Sequence, residues 1–457
     1  MSVFLRISTW LTTTLLIFFL LSTVVLSQSS GPPIDPLTNR CPEGKFLSIK
    51  DEKCFDLMTN YGFNWSQFSS YDSLKRVTAR SASEIKNYAA SGNVYITIPA
   101  GTYTVSEIRP GSNVVIEGEG HDKTIIECNH RYGVEIIGNS SNVIVRNLRI
   151  IGDPNNCWMG VFFNGSGSNV LVEGVMTENT QNKGIGGYQY GHQLTVRYNW
   201  VDGTRDWHGI GVDDQYESVA IYSNYITNVG FSSNTADAYA IDIHAIKVEI
   251  AGNYSENTRS MMKLPDGVDV LVHRNHFGKA LVLNRWIWTY KDQARCPQDH
   301  VYFANDIYLS DGDPPFKFYD STNIYITDNS FFGNYSAEVG GRTRICNRGP
   351  VYACPGTQDA NLRGVEIASE DVFVEFEGVG KIYPCRLDKG TQGSPTPTPP
   401  AKPGDGNADG LVDGKDFIIW LTHFGQNLTG ANNGDYNWNN RVEVGDYIIW
   451  IDNYRIN

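Results

Sequence analysis

The 457-residue sequence predicts an all-β solenoid followed by a small α-helical module, and two internal repeats carry this prediction. The longer repeat is an apolar, any, apolar phrase that returns nine times between residues 113 and 331, at spacings of 22–31 residues. Period-two alternation at a repeat of this length is typical of stacked strands with one unit per coil. The phrases are Val114–Ile116, Val143–Val145, Val170–Val172, Leu194–Val196, Val219–Ile221, Val248–Ile250, Val270–Val272, Val301–Phe303 and Ile324–Ile326.

Asparagines and a second set of strands complete each predicted coil. In five coils an Asn follows the phrase by three residues, where a turn needs a residue that tolerates unusual backbone angles and can bond the next coil. These residues are Asn199, Asn224, Asn253, Asn275 and Asn329. A second apolar stretch precedes each later phrase, so every coil has at least two strands. The stretches are 133–136, 160–163, 184–185, 209–212 and 240–243.

The coils and their entry resemble a known superfamily. Residues 81–90 predict a short helix with Ser83 as a possible N-cap, and the sequence Ile-Pro-Ala-Gly-Thr-Tyr follows at 98–103. A helix that covers the open end of a stacked core, before coils of variable length, is similar to the pectate lyase-like superfamily. The resemblance implies a right-handed parallel β-helix over residues 79–390 and action on a polysaccharide.

The N-terminus indicates export. An apolar run from about residue 10 to residue 26 follows Arg6 and is short and interrupted by Thr and Ser, so residues 1–27 predict a signal peptide. We therefore expect a secreted or cell-surface protein with no membrane span after signal removal. The net charge of −13 without a basic run argues against nucleic acid as a partner.

Export makes the eight cysteines candidates for disulfides. Cys128 and Cys157 lie 29 residues apart, about one coil, so they are expected to face each other on neighbouring coils. Local loops predict the further pairs Cys41 with Cys54 and Cys346 with Cys354. Residues 28–78, which are polar and rich in aromatics, show no clear period and suggest no function.

A Pro- and Thr-rich linker at 391–403 precedes a duplicated acidic loop in residues 404–457. Each loop places oxygen ligands at alternating positions of a 12-residue segment, which is the arrangement that a hard cation such as Ca²⁺ needs. The first set is Asp405, Asn407, Asp409, the Leu411 carbonyl, Asp413 and Asp416. The second set is Asp435, Asn437, Asn439, the Arg441 carbonyl, Glu443 and Asp446.

A matching apolar helix follows each loop, at 417–421 and 447–451. A loop with one helix, duplicated behind such a linker, resembles a type I dockerin, and Asp at position 12 fits that family. The resemblance implies two bound calcium ions and a cohesin-like module on a scaffold or cell surface as partner. The Ser/Thr pair common at positions 10 and 11 is missing, which leaves the type of partner open.

Aligning the second strands of successive coils predicts a polar face. The outward positions are Glu135, Phe162, Gly186, Gly211, Asp242 and Lys263, followed by Asn164, Tyr188, Asp213, His244 and Pro265. One face would then gather Tyr188, Asp213, Asp242, His244 and Lys263 above a floor of Gly186 and Gly211. Five titratable groups beside two glycines favour a substrate groove over a solvated surface.

Hydrolysis is the leading chemistry for this face because it requires only a carboxylate pair. Strand spacings put Asp213 and Asp242 ~8 Å apart, which suits an inverting glycoside hydrolase with room for a water. His244 beside Asp242 would tune the proton affinity of that carboxyl group.

Two further chemistries would act on a uronate-containing polymer. β-Elimination would use Lys263 as the base, with Arg259 or Arg285 pairing the substrate carboxylate. Lys263 and Arg285, about one coil apart, are similar to the Lys and Arg of chondroitinase B-like alginate lyases. C5 epimerisation would use Tyr188 with His208 or His244 as acid and base. A non-catalytic glycan-binding or adhesin-like solenoid is the alternative to all three.

Overall fold

A computed structural model of the protein describes residues 31–188, 191–232, 238–278, 287–289, 298–308, 316–318, 322–327, 329–332, 341–343, 374–376, 380–382, 403–407, 412–437 and 439–454. The predicted signal peptide, the predicted pair Cys346–Cys354, Arg285 and the loop ligands Asp409 and Leu411 lie outside these residues. Within the described part, no helix is long and apolar enough to cross a membrane.

Parallel strands in three columns form a β-solenoid. Each coil between residues 131 and 332 contributes one strand to each column, whereas the earlier coils contribute strands to two of them. The column with the predicted polar face, here the site column, contains Arg131–Ile137, Cys157–Asn164, Lys183–Gly187, the first halves of Ile210–Tyr222 and Tyr239–Ala251, Ser260–Lys263, Ile287–Thr289 and Phe316–Phe318. Every pairing in this column is parallel, which confirms a parallel β-helix.

The second column, the phrase column, carries the repeated phrase. It contains Lys75–Thr78, Val94–Ile98, Val114–Gly118, Val143–Arg146, Val170–Glu173, Gln193–Arg197, the second halves of Ile210–Tyr222 and Tyr239–Ala251, Asp269–His273, Gln298–Phe303 and Thr322–Thr327. Its first strand starts at Lys75, so the solenoid begins a few residues before the expected boundary at 79.

The third column was not expected as a separate set of strands. It contains Gly101–Thr104, Thr124–Cys128, Arg149–Gly152, Met176–Thr180, Trp200–Thr204, Tyr225–Val229, Tyr254–Thr258, His276–Phe277, Asp306–Tyr308 and Asn329–Phe332, with Gly341–Thr343 antiparallel at its end. Two antiparallel hairpins, Lys45–Ser48 with Lys53–Asp56 and Val374–Phe376 with Gly380–Ile382, lie outside the columns.

The core consists of inward residues that stack in lines from coil to coil. In the site column one such line runs through Val134, Val161, Ile185, Ile210 and Ile241, all fully buried. β-Branched side chains suit this position because they pack well on a pleated surface, and each buried side chain of this size contributes about 1.5–3 kcal/mol.

A ladder of buried asparagines joins the coils at the end of the phrase column. The side-chain amide of each Asn donates to the side-chain oxygen of the next at 2.8–2.9 Å, and its backbone N–H donates to the same oxygen. The ladder contains Asn199, Asn224, Asn253, Asn275, Asn305 and Asn329. Each amide also donates to a carbonyl of the preceding coil, so the buried polar groups are satisfied.

Asn305 was missed because the prediction for its coil was wrong by one residue. The predicted phrase was Val301–Phe303, but Val272 pairs with Tyr302, and Tyr302 belongs to the core. Three consecutive apolar residues at this point made the direction of the alternation ambiguous, and the Tyr302 ring takes the inward position.

The N-terminal segment proves to be a strap across the phrase column. Backbone N–H groups of Met58, Gly62, Phe63 and Asn64 donate to the side chains of Glu249, Ser218, Thr195 and Asn169, which belong to four successive coils. Its aromatic residues pack on the same surface, with Phe68 and Leu74 against Tyr95, Val115, Ile144 and Leu171.

The predicted helix and two of the predicted disulfides are present. The helix spans Ala82–Ser91, but its N-cap is Ser81, whose hydroxyl accepts from the backbone N–H of Glu84, and not Ser83 as predicted. Cys128–Cys157 links neighbouring coils and Cys41–Cys54 closes the first hairpin, which confirms both pairings. Short 3₁₀ helices lie at Trp65–Gln67, Tyr71–Ser73 and Ala431–Asn433.

The C-terminal module contains the helices Gly414–His423 and Val444–Asn453. Asp413 and Glu443 cap these helices, each in a capping box with the Asp three residues later. A small core of Val412, Trp420, Tyr436, Val442 and Trp450 holds the two loop–helix units together.

The ladder predicts a specific loss of stability. Asn253→Ala should lower the free energy of unfolding by about 2–4 kcal/mol, because it leaves the buried amide and backbone N–H of Asn224 without their acceptor. Urea unfolding of the full chain measures this, and Asn139→Ala in an exposed turn is the control, with an expected change of about 0.5 kcal/mol or less. Equal changes in the two variants would contradict a stabilising ladder.

Candidate catalytic site

The predicted register of the polar face is confirmed. Glu135, Phe162, Gly186, Gly211, Asp242 and Lys263 pair in succession along the outside of the site column. Parallel strands lie ~4.8 Å apart, so residues 21–31 positions apart in sequence become neighbours. Side chains of Asp213 and His244 join this line from the adjacent outward positions.

A further line of side chains was missed by the sequence analysis. It lies three residues before the predicted line and contains Tyr132, Met159, Lys183, His208, Tyr239 and Ser260, of which only His208 was a predicted site residue. Lys183, His208 and Tyr239 all turn toward the predicted line. The sequence contained a signal for this line, because Lys183, His208 and Tyr239 each precede a residue of the predicted line by three positions.

The two glycines make room for side chains and do not form the bare floor that was predicted. A Cβ atom at Gly186 would lie 2.6 Å from Cδ of Lys183, and one at Gly211 would lie 2.9 Å from Cδ and Cε of Lys183. The aliphatic part of Lys183 therefore occupies the floor, and any larger residue at either position would displace it.

Lys183 and Asp213 form a buried ion pair. Nζ of Lys183 lies 2.7 Å from Oδ2 of Asp213, and the Lys183 side chain has no exposed surface. Burial lowers the pKa of Lys183, although the Asp213 carboxylate opposes this shift. The Lys183 ammonium also lies 4.1 Å from the centre of the Tyr188 ring, in a cation–π contact.

Asp242 is the centre of the cluster. Its carboxylate contacts Nε2 of His208 at 3.1 Å, Nε2 of His244 at 3.3 Å and Nζ of Lys263 at 3.5 Å. Only 1% of its side chain is exposed. Burial opposes ionisation, but the two histidines hold the pKa of Asp242 well below its ordinary value.

The two histidines differ in their freedom to exchange a proton. Nδ1 of His208 accepts a hydrogen bond from the backbone N–H of Tyr239 at 3.1 Å, which assigns the proton to Nε2 facing Asp242. Burial lowers the pKa of His208, so this ring is neutral. Burial also acts on His244, but the Asp242 carboxylate outweighs it and raises the pKa of His244 above its ordinary value.

The separation of the two aspartates differs from the expectation. Oxygen atoms of Asp213 and Asp242 and a ring nitrogen of His208 all lie within 4.8 Å of one another, whereas strand spacings predicted ~8 Å for the carboxylates. The prediction used backbone positions, and the side chains lean together over the Gly211 floor. The cluster is not a ready metal site, because both ring nitrogens of His208 are engaged by Tyr239 and Asp242.

Two further predicted residues, Tyr188 and Arg259, make the following contacts. The Tyr188 hydroxyl donates to Oδ1 of Asn182 at 2.7 Å, and burial and the Asp213 carboxylate raise its pKa. The Arg259 side chain packs beside Gly230.

A cavity of about 490 Å³ lies between the N-terminal strap and the phrase column, away from the cluster. Trp65, Thr195 and Arg197 are among the residues that line it.

The acidic loops of the C-terminal module hold buried carboxylates. Asp405, Asp416, Asp435 and Asp446 are all at most 1% exposed. Asp446 accepts from the backbone N–H groups of Tyr436, Asn437 and Glu443, and Asp416 occupies the equivalent position in the first loop. These backbone hydrogen bonds orient the carboxylates but carry no formal positive charge. The carboxylate oxygens therefore suit the binding of a cation.

Comparison with known proteins yields matches of structure alone. No protein-family model and no curated protein matches the sequence. The A-module of a mannuronan C-5 epimerase from Azotobacter vinelandii is 16% identical, with 58% of this chain and 87% of that chain covered and a TM-score of 0.38. An alginate lyase from Paenibacillus is 12% identical, covering 58% and 97%, with a TM-score of 0.42.

A pectate lyase variant from Xanthomonas campestris is also 12% identical, covering 63% of this chain and 88% of that chain, with a TM-score of 0.34. These overall likenesses are low. The assignment of the fold therefore rests on the strand pairing itself, and the chemistry rests on the geometry of the site.

The buried ion pair predicts a large effect of removing one charge. Asp213→Asn should lower the free energy of unfolding by about 3–5 kcal/mol, because the Lys183 ammonium stays buried without its partner, and adding Lys183→Met should restore much of the loss. Urea unfolding measures both variants. Asp56→Asn in the exposed pair with Lys45 is the control and should cost about 1 kcal/mol or less. A loss no larger than that of the control would contradict burial of the pair.

Proposed function

We propose that this cluster is a catalytic centre that removes the C5 proton of a uronate residue in a polysaccharide. The observation that carries the proposal is the environment of Asp242, a fully buried carboxylate held ionised between His208, His244 and Lys263. Buried, mutually coupled titratable groups of this kind are concentrated at functional sites, since ion pairs of this kind rarely stabilise a fold by themselves.

The same environment makes hydrolysis by the two aspartates the weaker candidate. A two-carboxylate hydrolase needs one carboxyl group that still carries a proton near neutral pH, and its pKa must therefore be raised. The pKa of Asp242 is lowered instead, and Asp213 is bound as a carboxylate by Lys183. The carboxylate oxygens within 4.8 Å also fall short of the ≈ 6.5–9.5 Å of an inverting hydrolase, and a retaining hydrolase, with carboxyl groups ≈ 5–5.5 Å apart, would still lack the protonated acid.

Proton abstraction next to a carboxylate suits the groups that are present. Asp242 orients the His244 ring and raises its pKa toward the working range of a general base. In this role the imidazole takes the C5 proton while the ammonium of Lys263 pairs with the substrate carboxylate and stabilises the charge that develops there. The raised pKa of Tyr188 keeps its hydroxyl protonated, so it serves as proton donor.

Two products follow from the same first step. In β-elimination the imidazole takes the C5 proton, and the C5–H electrons form the C4–C5 double bond. The C4–O4 bond breaks, and the proton donor transfers its proton to the leaving O4. In C5 epimerisation a proton returns to C5 from the opposite face and no bond of the chain breaks. His208 and Lys183 act as positioning residues in both, because the first holds Asp242 and the second holds Asp213.

Solvent exchange tests the proposal directly. The protein is incubated in D₂O with polymers of mannuronate, guluronate and galacturonate, and deuterium at C5, unsaturated uronate and new reducing ends are recorded together. Deuterium at C5 or unsaturated ends support proton abstraction, and His244→Ala should abolish either signal. Reducing ends without either signal would establish hydrolysis, and no signal with any polymer would favour a non-catalytic glycan-binding solenoid.

The Asp242–His244 pair predicts a shift in pH dependence. As a base His244 must be neutral, so activity falls as the pH drops through its pKa, which Asp242 raises above the ordinary value of 6.5. Asp242→Asn removes that carboxylate, so the acid limb of kcat/KM should move to lower pH while the rate falls about 10²–10⁴-fold. An unmoved acid limb would show that the titrating group is not His244.

For the C-terminal module we propose two calcium ions and a docking role. The first ion would be held by Asp405, Asn407, Asp409, the Leu411 carbonyl, Asp413 and Asp416. The second would be held by Asp435, Asn437, Asn439, the Arg441 carbonyl, Glu443 and Asp446. The four buried aspartates support this assignment because they supply each loop with two of the oxygen ligands that a hard cation such as Ca²⁺ needs.

The surface of the two helices supports docking to a cohesin-type protein. Ile418, Leu421, Val444, Ile448 and Ile451 are each 42–57% exposed, although they are large and apolar. Ile418 corresponds to Ile448 and Leu421 to Ile451 in the 30-residue duplication, so each unit presents a similar apolar surface. Such a partner on a scaffold or cell surface would place an exported enzyme near its polysaccharide.

Calcium removal tests the module in the full chain. Titration of chelator-treated protein should show two bound ions, and the module containing Trp420 and Trp450 should unfold at a higher temperature with calcium than without it. Asp446→Ala should remove one ion, whereas exposed Asp72→Ala should remove none. Binding to cohesin modules should require calcium and fail in Ile448→Asp. Unchanged ion binding in Asp446→Ala would contradict the ligand assignment.

A further inference from the structure

A cluster of aromatic side chains lies outside the solenoid, on the site column. The rings of Tyr132 and Phe162 stack at 4.3 Å, and the Trp158 and Tyr188 rings lie 5.6 Å apart and tilted by 36°. Trp158 lies 6.0 Å from Tyr132, and Phe162 lies 5.8 Å from Tyr188. We call these four residues the aromatic platform.

The platform is not part of the interior of the solenoid. Phe162 pairs with Glu135 and Gly186 in the outward line, while its neighbours Val161 and Phe163 point into the core. The inner rings, Tyr132 and Phe162, are covered by the others, and Trp158 and Tyr188 keep part of their surface in solvent. The exposed part of the platform is therefore the outer edge formed by Trp158 and Tyr188.

The platform is continuous with the catalytic cluster through Tyr188. This ring contacts Phe162 and Trp158 and also lies 4.1 Å from the Lys183 ammonium. Along the outward line, Asp242 follows Phe162 by three coils, by way of Gly186 and Gly211. Three coil spacings of ~4.8 Å put the platform ~14 Å from Asp242 along the solenoid axis, a distance spanned by about three sugar units.

We propose that the aromatic platform is a binding subsite for the same glycan chain, and this inference rests on the proposed function. A pyranose ring presents C–H groups on its faces, which pack on the solvent-exposed part of the Trp158 ring, while its hydroxyls and carboxylate stay at the ring edge in water. The polymer then lies along the solenoid axis, with a sugar about three units from the reacting uronate on the platform. Trp158, Tyr132 and Phe162 contribute binding energy and take no part in proton transfer, which leaves Tyr188 as the one platform residue with a role in the reaction.

The dependence of KM on chain length tests this assignment. Trp158→Ala should raise KM for a uronate polymer about tenfold, equal to ~1.4 kcal/mol, and leave kcat unchanged. The KM for a trimer, which is too short to reach from the cluster to the platform, should change less than twofold. Trp158→Phe keeps an aromatic ring and should recover most of the affinity. The control is Trp200→Ala, a half-buried tryptophan packed on Tyr225 in the third column.

Each result decides the proposal. Equal KM changes for trimer and polymer, or no change for the polymer, would overturn the subsite. If the wild-type protein turns over no polymer, the proposed function fails, and retention in gels containing the same polymers still tests the platform. Weaker retention of Trp158→Ala than of Trp200→Ala would then support a binding subsite. Equal retention of the two variants, or no retention of the wild-type protein, would overturn it.

Discussion

The structure depends on one constraint, the in-register stacking of parallel coils. Because neighbouring strands lie ~4.8 Å apart, the backbone polar groups of one coil bond to those of the next, and side chains at the same position of successive coils come within reach of each other. The asparagine ladder shows how this is done, since each amide serves the coil before it and the coil after it. A slip of one residue would reverse inward and outward side chains, so the ladder and the apolar lines specify the register together.

That register also assembles the charged cluster around Asp242, for which we propose a catalytic role. Lys183, His208 and Asp242 lie on three successive coils, and the parallel pairing of these coils brings them together although each is more than 20 residues from the next in the sequence. Burying the Asp242 carboxylate and the Lys183 ammonium is costly, and their charged partners offset this cost only because the geometry is close. The sheet therefore supplies a rigid base on which charged groups of both signs are held in contact, and such preorganisation is what acid–base chemistry at a carbon centre requires.

Gly186 and Gly211 are not turn glycines, because they lie in strands and leave space for a neighbouring side chain. Gly186 and Gly211 lie in strands, where glycine weakens a sheet, yet their missing side chains let Lys183 lie flat across two coils and reach Asp213. On the coils before them, Phe162 and its aromatic neighbours fill the same outward line. One surface thus changes along the solenoid axis from aromatic to charged, as a binding site for a long polar polymer needs.

The sequence by itself determined the parallel solenoid, the outward line from Glu135 to Lys263, two disulfides and the two loop–helix units. These features repeat with a fixed period or spacing, and local patterns therefore report them. The sequence did not reveal that Lys183 belongs to the cluster or that both ring nitrogens of His208 are bonded. It also did not reveal that Tyr302 takes the inward position in its coil, or that the N-terminal segment is a strap. Those features depend on which way a side chain leans once coils are stacked, and on contacts between residues more than a hundred positions apart, as between Gly62 and Ser218. The charge of Asp242 also depends on the tertiary structure. The pKa of a buried carboxyl group is set by the charged groups and hydrogen-bond donors packed around it, and the sequence alone does not show which these are.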